Sequence, residues 1–176
     1  MLDPVLRDRV AEYFSRRPAA MTLLAARDLG VPEAEVLRAL EGKGAVELDP
    51  GAFEALLREL EGWGRCHVIV SNRGATLEAY GAFGGFSRSG PFFNVETPTL
   101  DLHLRPEAVR AIFCLDKRGH RDGQPIHTVQ FYDAEGASVL KVVMIQEGPG
   151  DDKAYTPAQD AAFGALRDRH RRVIPV

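Results

Sequence analysis

Cysteine is scarce in this 176-residue chain, with Cys66 and Cys114 the two present, and tryptophan occurs once, at Trp63. The two cysteines form no CxxC pair and no other metal-ligand spacing. This excludes a disulfide-dense scaffold and a cysteine-held metal centre, and it predicts free, buried thiols. No apolar run approaches the roughly 20 residues that a membrane-spanning helix needs, so membrane insertion is not expected. The amino end has no basic segment leading into an apolar stretch, which predicts a cytoplasmic protein. Charge of one sign is lacking too: 22 Lys+Arg stand against 25 Asp+Glu, a formal net charge of −3. Bulk electrostatics therefore gives no pull toward nucleic acid or anionic lipid. Absent as well are a phosphate-binding GK[ST] loop, an HExxH pair and a GxSxG turn, so nucleotide, zinc-hydrolase and Ser-His-Asp chemistry have no direct support.

What is present is a folded composition, 45% hydrophobic and 27% charged, in a length that suits one ordinary domain with a small appendage. Residues 1–64 read as helices. Asp3-Pro4 opens the first, with Leu6, Val10, Tyr13 and Phe14 as its apolar stripe and Pro18 behind its end. Thr22 is placed to cap a second helix that Gly30 ends, and Pro32 leads into a third with Val36, Leu37 and Leu40 on one side. Asp49-Pro50 starts a fourth, striped by Phe53, Leu56, Leu57 and Leu60.

From residue 65 the period becomes two, the mark of an antiparallel sheet. Seven strands are expected: 66–70, 76–80, 92–95, 100–104, 111–116, 126–132 and 138–145. A closing helix, capped by Thr156-Pro157, carries Phe163 and Leu166. The fold class is therefore α+β: a helical, winged-helix-like module over 1–64, then an antiparallel sheet domain with a C-terminal helix over 65–176. The later strands are apolar on both faces. The helices in hand fall short of covering both, which calls for a flat ligand or a partner subunit as the missing cover.

The winged-helix order raises DNA binding, and charge argues against it. Residues 1–64 hold 8 basic and 12 acidic side chains, and the would-be recognition helix, residues 33–41, has three carboxylates and one arginine. A phosphate-contacting surface needs the opposite sign.

The histidines differ in setting. On the 100–104 strand Leu100, Leu102 and Leu104 share one face and Asp101, His103 and Arg105 the other, which is either a solvated surface or the polar element of a site. His67 shares a strand face with Ile69 and Ser71. His120 sits in a polar loop, His127 begins a strand, and His170 ends a charged helix, where a cation suits the helix dipole. The glycine-rich stretch 81–90 is either a long flexible connection or a mobile segment that folds the Phe83 and Phe86 rings over a flat ligand while Arg88 meets an anionic group.

Trp63-Gly64 with the hairpin behind it, Gly90-Pro-Phe-Phe-Asn-Val95, Leu100-Asp-Leu-His-Leu104, Val129-Gln-Phe-Tyr-Asp-Ala-Glu-Gly136 and Val139-Leu-Lys-Val142, in that order, resemble the haem-utilisation carriers of the HutX/ChuX group. These are similar in turn to one half of the HemS/ChuS haem-trafficking and haem-degrading proteins. The resemblance implies a saddle-like antiparallel sheet that forms a homodimer. It also implies uptake of haem in the cytoplasm for iron acquisition, and transfer to a haem-receiving or haem-degrading protein.

Porphyrin asks for apolar walls, an iron ligand and cations for its propionates. On the resemblance His103 stands at a family histidine implicated in haem contact and is the expected iron ligand, with His67 the alternative. Arg88 and Arg105 are the expected propionate partners, and Phe92 and Phe93 the expected ring contacts. Three positions depart from the family. Ser71 stands where many relatives have a ligand histidine, Phe92-Phe93-Asn94 where some have a ligand tyrosine, and residues 146–152 replace a basic segment. Three readings compete: a haem carrier without chemistry of its own, a haem-degrading enzyme, and a regulatory or interaction protein that keeps the fold without haem.

Overall fold

The structure, a computed structural model, describes residues 3–119, 124–149 and 153–173. His120 and the pair Asp151-Asp152 lie outside the described residues. Four helices come first or nearly so: α1 (Pro4–Arg16), α2 (Thr22–Leu29), α3 (Glu33–Ala39) and, after the short strand β1 (Ala45–Leu48), α4 (Phe53–Leu60). Eight more strands follow: β2 (Arg65–Ser71), β3 (Thr76–Ala82), β4 (Phe86–Ser89), β5 (Phe92–Thr97), β6 (Leu100–Leu104), β7 (Ala111–Arg118), β8 (Pro125–Tyr132) and β9 (Ser138–Met144). Helix α5 (Pro157–His170) closes the chain. Among the described residues no helix is long and apolar enough to cross a membrane.

The helix ends follow local chemistry. The Asp3 carboxylate accepts the Val5 amide at 3.0 Å, and Gly30 closes α2 in the left-handed region at φ 69°. Thr156 and Gln159 form a reciprocal capping box on α5. Thr22 corrects the expectation placed on it: Met21 occupies the cap position without a side-chain bond, and the Thr22 hydroxyl instead donates to buried Glu33 at 2.5 Å.

The α+β class holds, with nine strands in two sheets among the described residues instead of about seven in one. The larger sheet has the order β1-β7-β8-β9-β2-β3 and the smaller the order β4-β5-β6. Every pairing between these strands is antiparallel. Strand β1 comes from the helical stretch and pairs Ala45 with Leu115 through Leu48 with Ile112, so the helices dock on the sheet through their own strand. Strand β4 is the second addition, inside the glycine-rich stretch.

Two cores flank the larger sheet, and β7 feeds both. Ile112 and Cys114 enter a core closed by Phe53, Leu56, Leu57 and Leu60 of α4, Phe163 and Leu166 of α5, and Phe93, Val95 and Leu104 of the smaller sheet. Ala111, Phe113 and Leu115 enter the other, built with Leu6, Val10, Ala25, Val36 and Leu37 of α1 to α3. Each fully buried leucine or phenylalanine here contributes about 1.5–3 kcal/mol of transfer free energy. Over β7 and β8 the chain thus supplies both covers itself, against the expectation of a ligand or partner there. The reason is that α4 and the smaller sheet stand on one face together with α5, and α1 to α3 stand on the other.

The glycine-rich stretch is close-packed, not a flap. Phe83 is 1% exposed, and Phe86 stacks on Phe93 at 5.4 Å. Gly81 lets the β5–β6 hairpin tip rest on β3, since a Cβ there would come 1.9 Å from the Thr99 hydroxyl oxygen. Gly85 sits at φ 65° against the Glu96 carbonyl, where a side chain would collide at 2.0 Å. Cys66 and Cys114 are free and buried. Burial pushes each thiol up to about 12, which makes them inert packing residues.

Candidate functional site

The smaller sheet has one face in the core and one open. Phe93, Val95, Leu102 and Leu104 point inward, and the alternation of β-strands turns Ser87, Phe92, Asn94, Glu96, Asp101 and His103 to the other side. The register sets Asn94 across from both Ser87 and His103, and a directed row of hydrogen bonds results. The Ser87 hydroxyl donates to Glu96 Oε2 at 3.0 Å, Asn94 Nδ2 donates to Ser87 Oγ at 2.9 Å, and His103 Nδ1 lies 2.8 Å from Asn94 Oδ1.

The Glu96 carboxylate polarises the whole row. It can only accept, so the serine donates to it, the asparagine amide donates to the serine, and the asparagine oxygen is left facing His103. His103 Nδ1 must then be the donor, and in the neutral ring the Nε2 lone pair is the free one. The His103 side chain is 54% exposed, with Asp101 Oδ1 3.5 Å from Nε2 on a side chain that is itself 73% exposed. Phe92 lies edge-on to the imidazole, centroids 6.1 Å apart, and is 37% exposed. Arg105, just beyond the strand, donates to Glu107 at 2.9 Å and remains at the surface. A backbone hydrogen bond, then the Arg105 guanidinium, hold the Glu107 carboxyl below its ordinary value.

The other sequence-selected residues are elsewhere. Phe93 is fully buried, edge-on to Phe53 at 6.0 Å with the Arg58 guanidinium over its ring; it is a core residue that holds the face from behind. Arg88 pairs across from Phe93, on the side away from His103, and its guanidinium binds Glu54 of α4. His67 belongs to the larger sheet. It stacks on Tyr80 at 4.2 Å, and its Nε2 is 2.9 Å from Glu78 Oε2. At the far end of the same strand Ser71 shares a hydroxyl contact with Thr76 at 3.1 Å.

The structure therefore brings His103 and Phe92 together, leaves Arg105 just past the end of the same strand with Glu107, and puts Arg88, Phe93 and His67 elsewhere. It adds Asn94, Ser87 and Glu96, which sequence reasoning passed over. Their signal was the alternation of β5, where a polar Asn94 stands between Phe93 and Val95; its partner depends on a hairpin register that the sequence does not display.

Several solved structures share this architecture, three haem proteins among them. The heme-binding protein ChuX is 19% identical, with a TM-score of 0.76 over 91% of this chain and 97% of its own. Holo-PhuS, a heme-binding protein from Pseudomonas aeruginosa, is 25% identical, with a TM-score of 0.76 over 95% of this chain and 45% of its own. The heme-degrading enzyme ChuS of Escherichia coli O157:H7 is 24% identical, with a TM-score of 0.75 over 94% of this chain and 46% of its own. The chain thus spans less than half the length of the two last proteins. Among curated protein sequences none matches it significantly. The family model for haem utilisation ChuX/HutX matches residues 46–166, more than half of the chain and every strand but the first residue of β1. The chain belongs to the ChuX/HutX haem utilisation family.

Proposed function

We propose that the protein binds haem on the open face of the smaller sheet and passes it on, as a carrier in haem utilisation, with His103 Nε2 ligating the iron. The observation that carries this reading is the 2.8 Å hydrogen bond between His103 Nδ1 and Asn94 Oδ1. Metal-bound histidines commonly donate their second ring N–H to an oxygen acceptor, which fixes the tautomer and raises the basicity of the ligating nitrogen. His67, by contrast, has its Nε2 engaged by Glu78. Phe92 supplies an apolar edge beside the imidazole, and Arg105 a cation for a propionate.

Family membership and the likeness to ChuX and holo-PhuS support haem as the cargo. The open face supports transfer over enclosed chemistry, because a second protein can reach a porphyrin held there. A second copy of this chain is the natural opposite wall, which would make the haem-loaded form a homodimer.

Titration of hemin into wild type, His103→Ala and His67→Ala tests the reading. A saturable Soret band is expected in wild type, displaced or lost in His103→Ala and unchanged in His67→Ala. Absence of a saturable band in wild type would overturn haem binding; an unaltered His103→Ala would overturn the site. With ascorbate and oxygen the band should persist, and its loss with release of an open-chain tetrapyrrole would replace the carrier by a degrading enzyme.

A further inference from the structure

A cleft of about 550 Å³ lies between the start of β8 and α5, away from the His103 face, and is lined by Asp116, Pro125, His127, Tyr155, Asp160 and Phe163 among others. Its volume falls within the roughly 300–1,000 Å³ of small-molecule sites. His127 forms the floor. The residue is 5% exposed, and its imidazole is sandwiched between the rings of Tyr155 at 4.1 Å and Phe163 at 4.2 Å.

His127 Nε2 lies 2.8 Å from Asp160 Oδ1. A carboxylate only accepts, so Nε2 carries the proton, and in the neutral ring Nδ1 is an acceptor. That buried Nδ1 has no hydrogen-bond partner among the described residues. Asp116 Oδ1, 3.7 Å away, is beyond hydrogen-bond reach and is an acceptor as well. The Tyr155 hydroxyl cannot help, because it accepts the His127 amide at 2.9 Å and donates to the Met144 carbonyl at 3.0 Å. Arg167, also on the lining, is held by Asp168 at 2.8 Å. Buried polar groups are nearly always satisfied, so an orphaned acceptor in the wall of a cleft marks the place of a missing donor.

We propose that this cleft is a binding site for a small primary amine, whose ammonium donates to both His127 Nδ1 and Asp116 while its hydrocarbon body lies against Pro125, Tyr155 and Phe163. An ammonium has three donors and no acceptor. Two acceptors 3.7 Å apart are close enough for one nitrogen to reach both at about 2.9 Å, once the half-exposed Asp116 side chain swings outward and opens Nδ1, which is closed to solvent without a ligand. With Asp160 the lining holds two carboxylates against the single Arg167 guanidinium, a balance that favours a cation. A metal ion is a poorer occupant: among the described residues no group of three His, Cys, Asp or Glu is placed to hold one. The site shares no residue with the His103 face, so it stands apart from the haem reading.

The test uses the full chain without haem, labelled with ¹⁵N, and follows the His127 ring nitrogens while benzylamine or butylamine is added, with benzyl alcohol and benzoate as comparisons. At least one of the amines should give a saturable shift of Nδ1, the alcohol should bind at least tenfold more weakly, and benzoate should leave the ring unmoved. Asp116→Asn changes a side chain that is 52% exposed and spares the His127 sandwich; it should weaken the amine at least tenfold. Silence at His127 with both amines, equal binding of benzoate, or equal affinity in wild type and Asp116→Asn would each overturn the proposal.

Discussion

The larger sheet is sealed on both faces where β7 and β8 run, with Ile112 and Cys114 against α4, α5 and the smaller sheet and with Phe113 and Leu115 against α1 to α3. The smaller sheet is sealed on one face only. Their histidines differ accordingly. His67 on the larger sheet is stacked on Tyr80 and has its Nε2 occupied by Glu78, whereas His103 on the smaller sheet is gripped at Nδ1 and leaves Nε2 outward. A polar row of serine, asparagine and glutamate is what turns an ordinary surface imidazole into an oriented one. Apolar content alone does not mark the site, because most of it is used in packing the chain against itself.

The hardest way to break this contrast is to detach the smaller sheet from the larger. Phe93→Ala removes a fully buried ring that contacts Phe53 and Phe86, and it should cost about 3–5 kcal/mol in urea unfolding. Haem binding should then fall along with stability, since the His103 face loses its backing.

On the larger sheet, Lys141→Met leaves Glu33, whose side chain is 3% exposed, without its 2.5 Å partner. An unpaired buried carboxylate of this kind costs about 3 kcal/mol or more, so the melting temperature should drop while the Soret band of the folded protein stays unchanged. Survival of full stability would show that Thr22 suffices as the partner of Glu33.

Asn94→Ala tests the row itself. It should weaken haem roughly tenfold, the lower end of what supporting residues of metal ligands contribute, and the same change at Glu78, next to His67, should do nothing to haem.

The smallest effect concerns acid. Burial alone would raise the Glu59 carboxyl, yet hydrogen bonds from His170 and Arg169 outweigh it and hold the group below its ordinary 4.5. A depressed carboxyl contributes stability above that value and loses it as pH falls through the lowered one. Glu59→Gln should therefore flatten acid unfolding below pH 4.5 by about 1 kcal/mol or less, since solvent reaches the group and screens its exposed partner Arg169.

Much of the architecture was readable from residue order. The helix bounds follow from Asp3-Pro4, Gly30 and Thr156, whose effects are local, and the Leu100, Leu102, Leu104 alternation placed His103 on an open face. The missing parts depend on contacts distant in sequence. Ala45–Leu48 is the strand that ends the winged-helix order of residues 21–50, but its pairing with β7, far along the chain, is not visible in that order. The stretch 81–90 reads as flexible because glycine is permissive, and only the approach of Thr99 and the Glu96 carbonyl shows why glycine is required there. The bond from His103 to Asn94 and the enclosure of His127 under α5 arise from register and docking, which no window of sequence contains.

The central claim is that His103 Nε2 is the iron ligand, and His103→Gly with free imidazole tests it most directly. The account predicts that the glycine variant loses the wild-type Soret position and the iron–histidine stretch of its ferrous haem complex, and that added imidazole restores both. A glycine variant with the wild-type spectrum, before any imidazole is added, would contradict it.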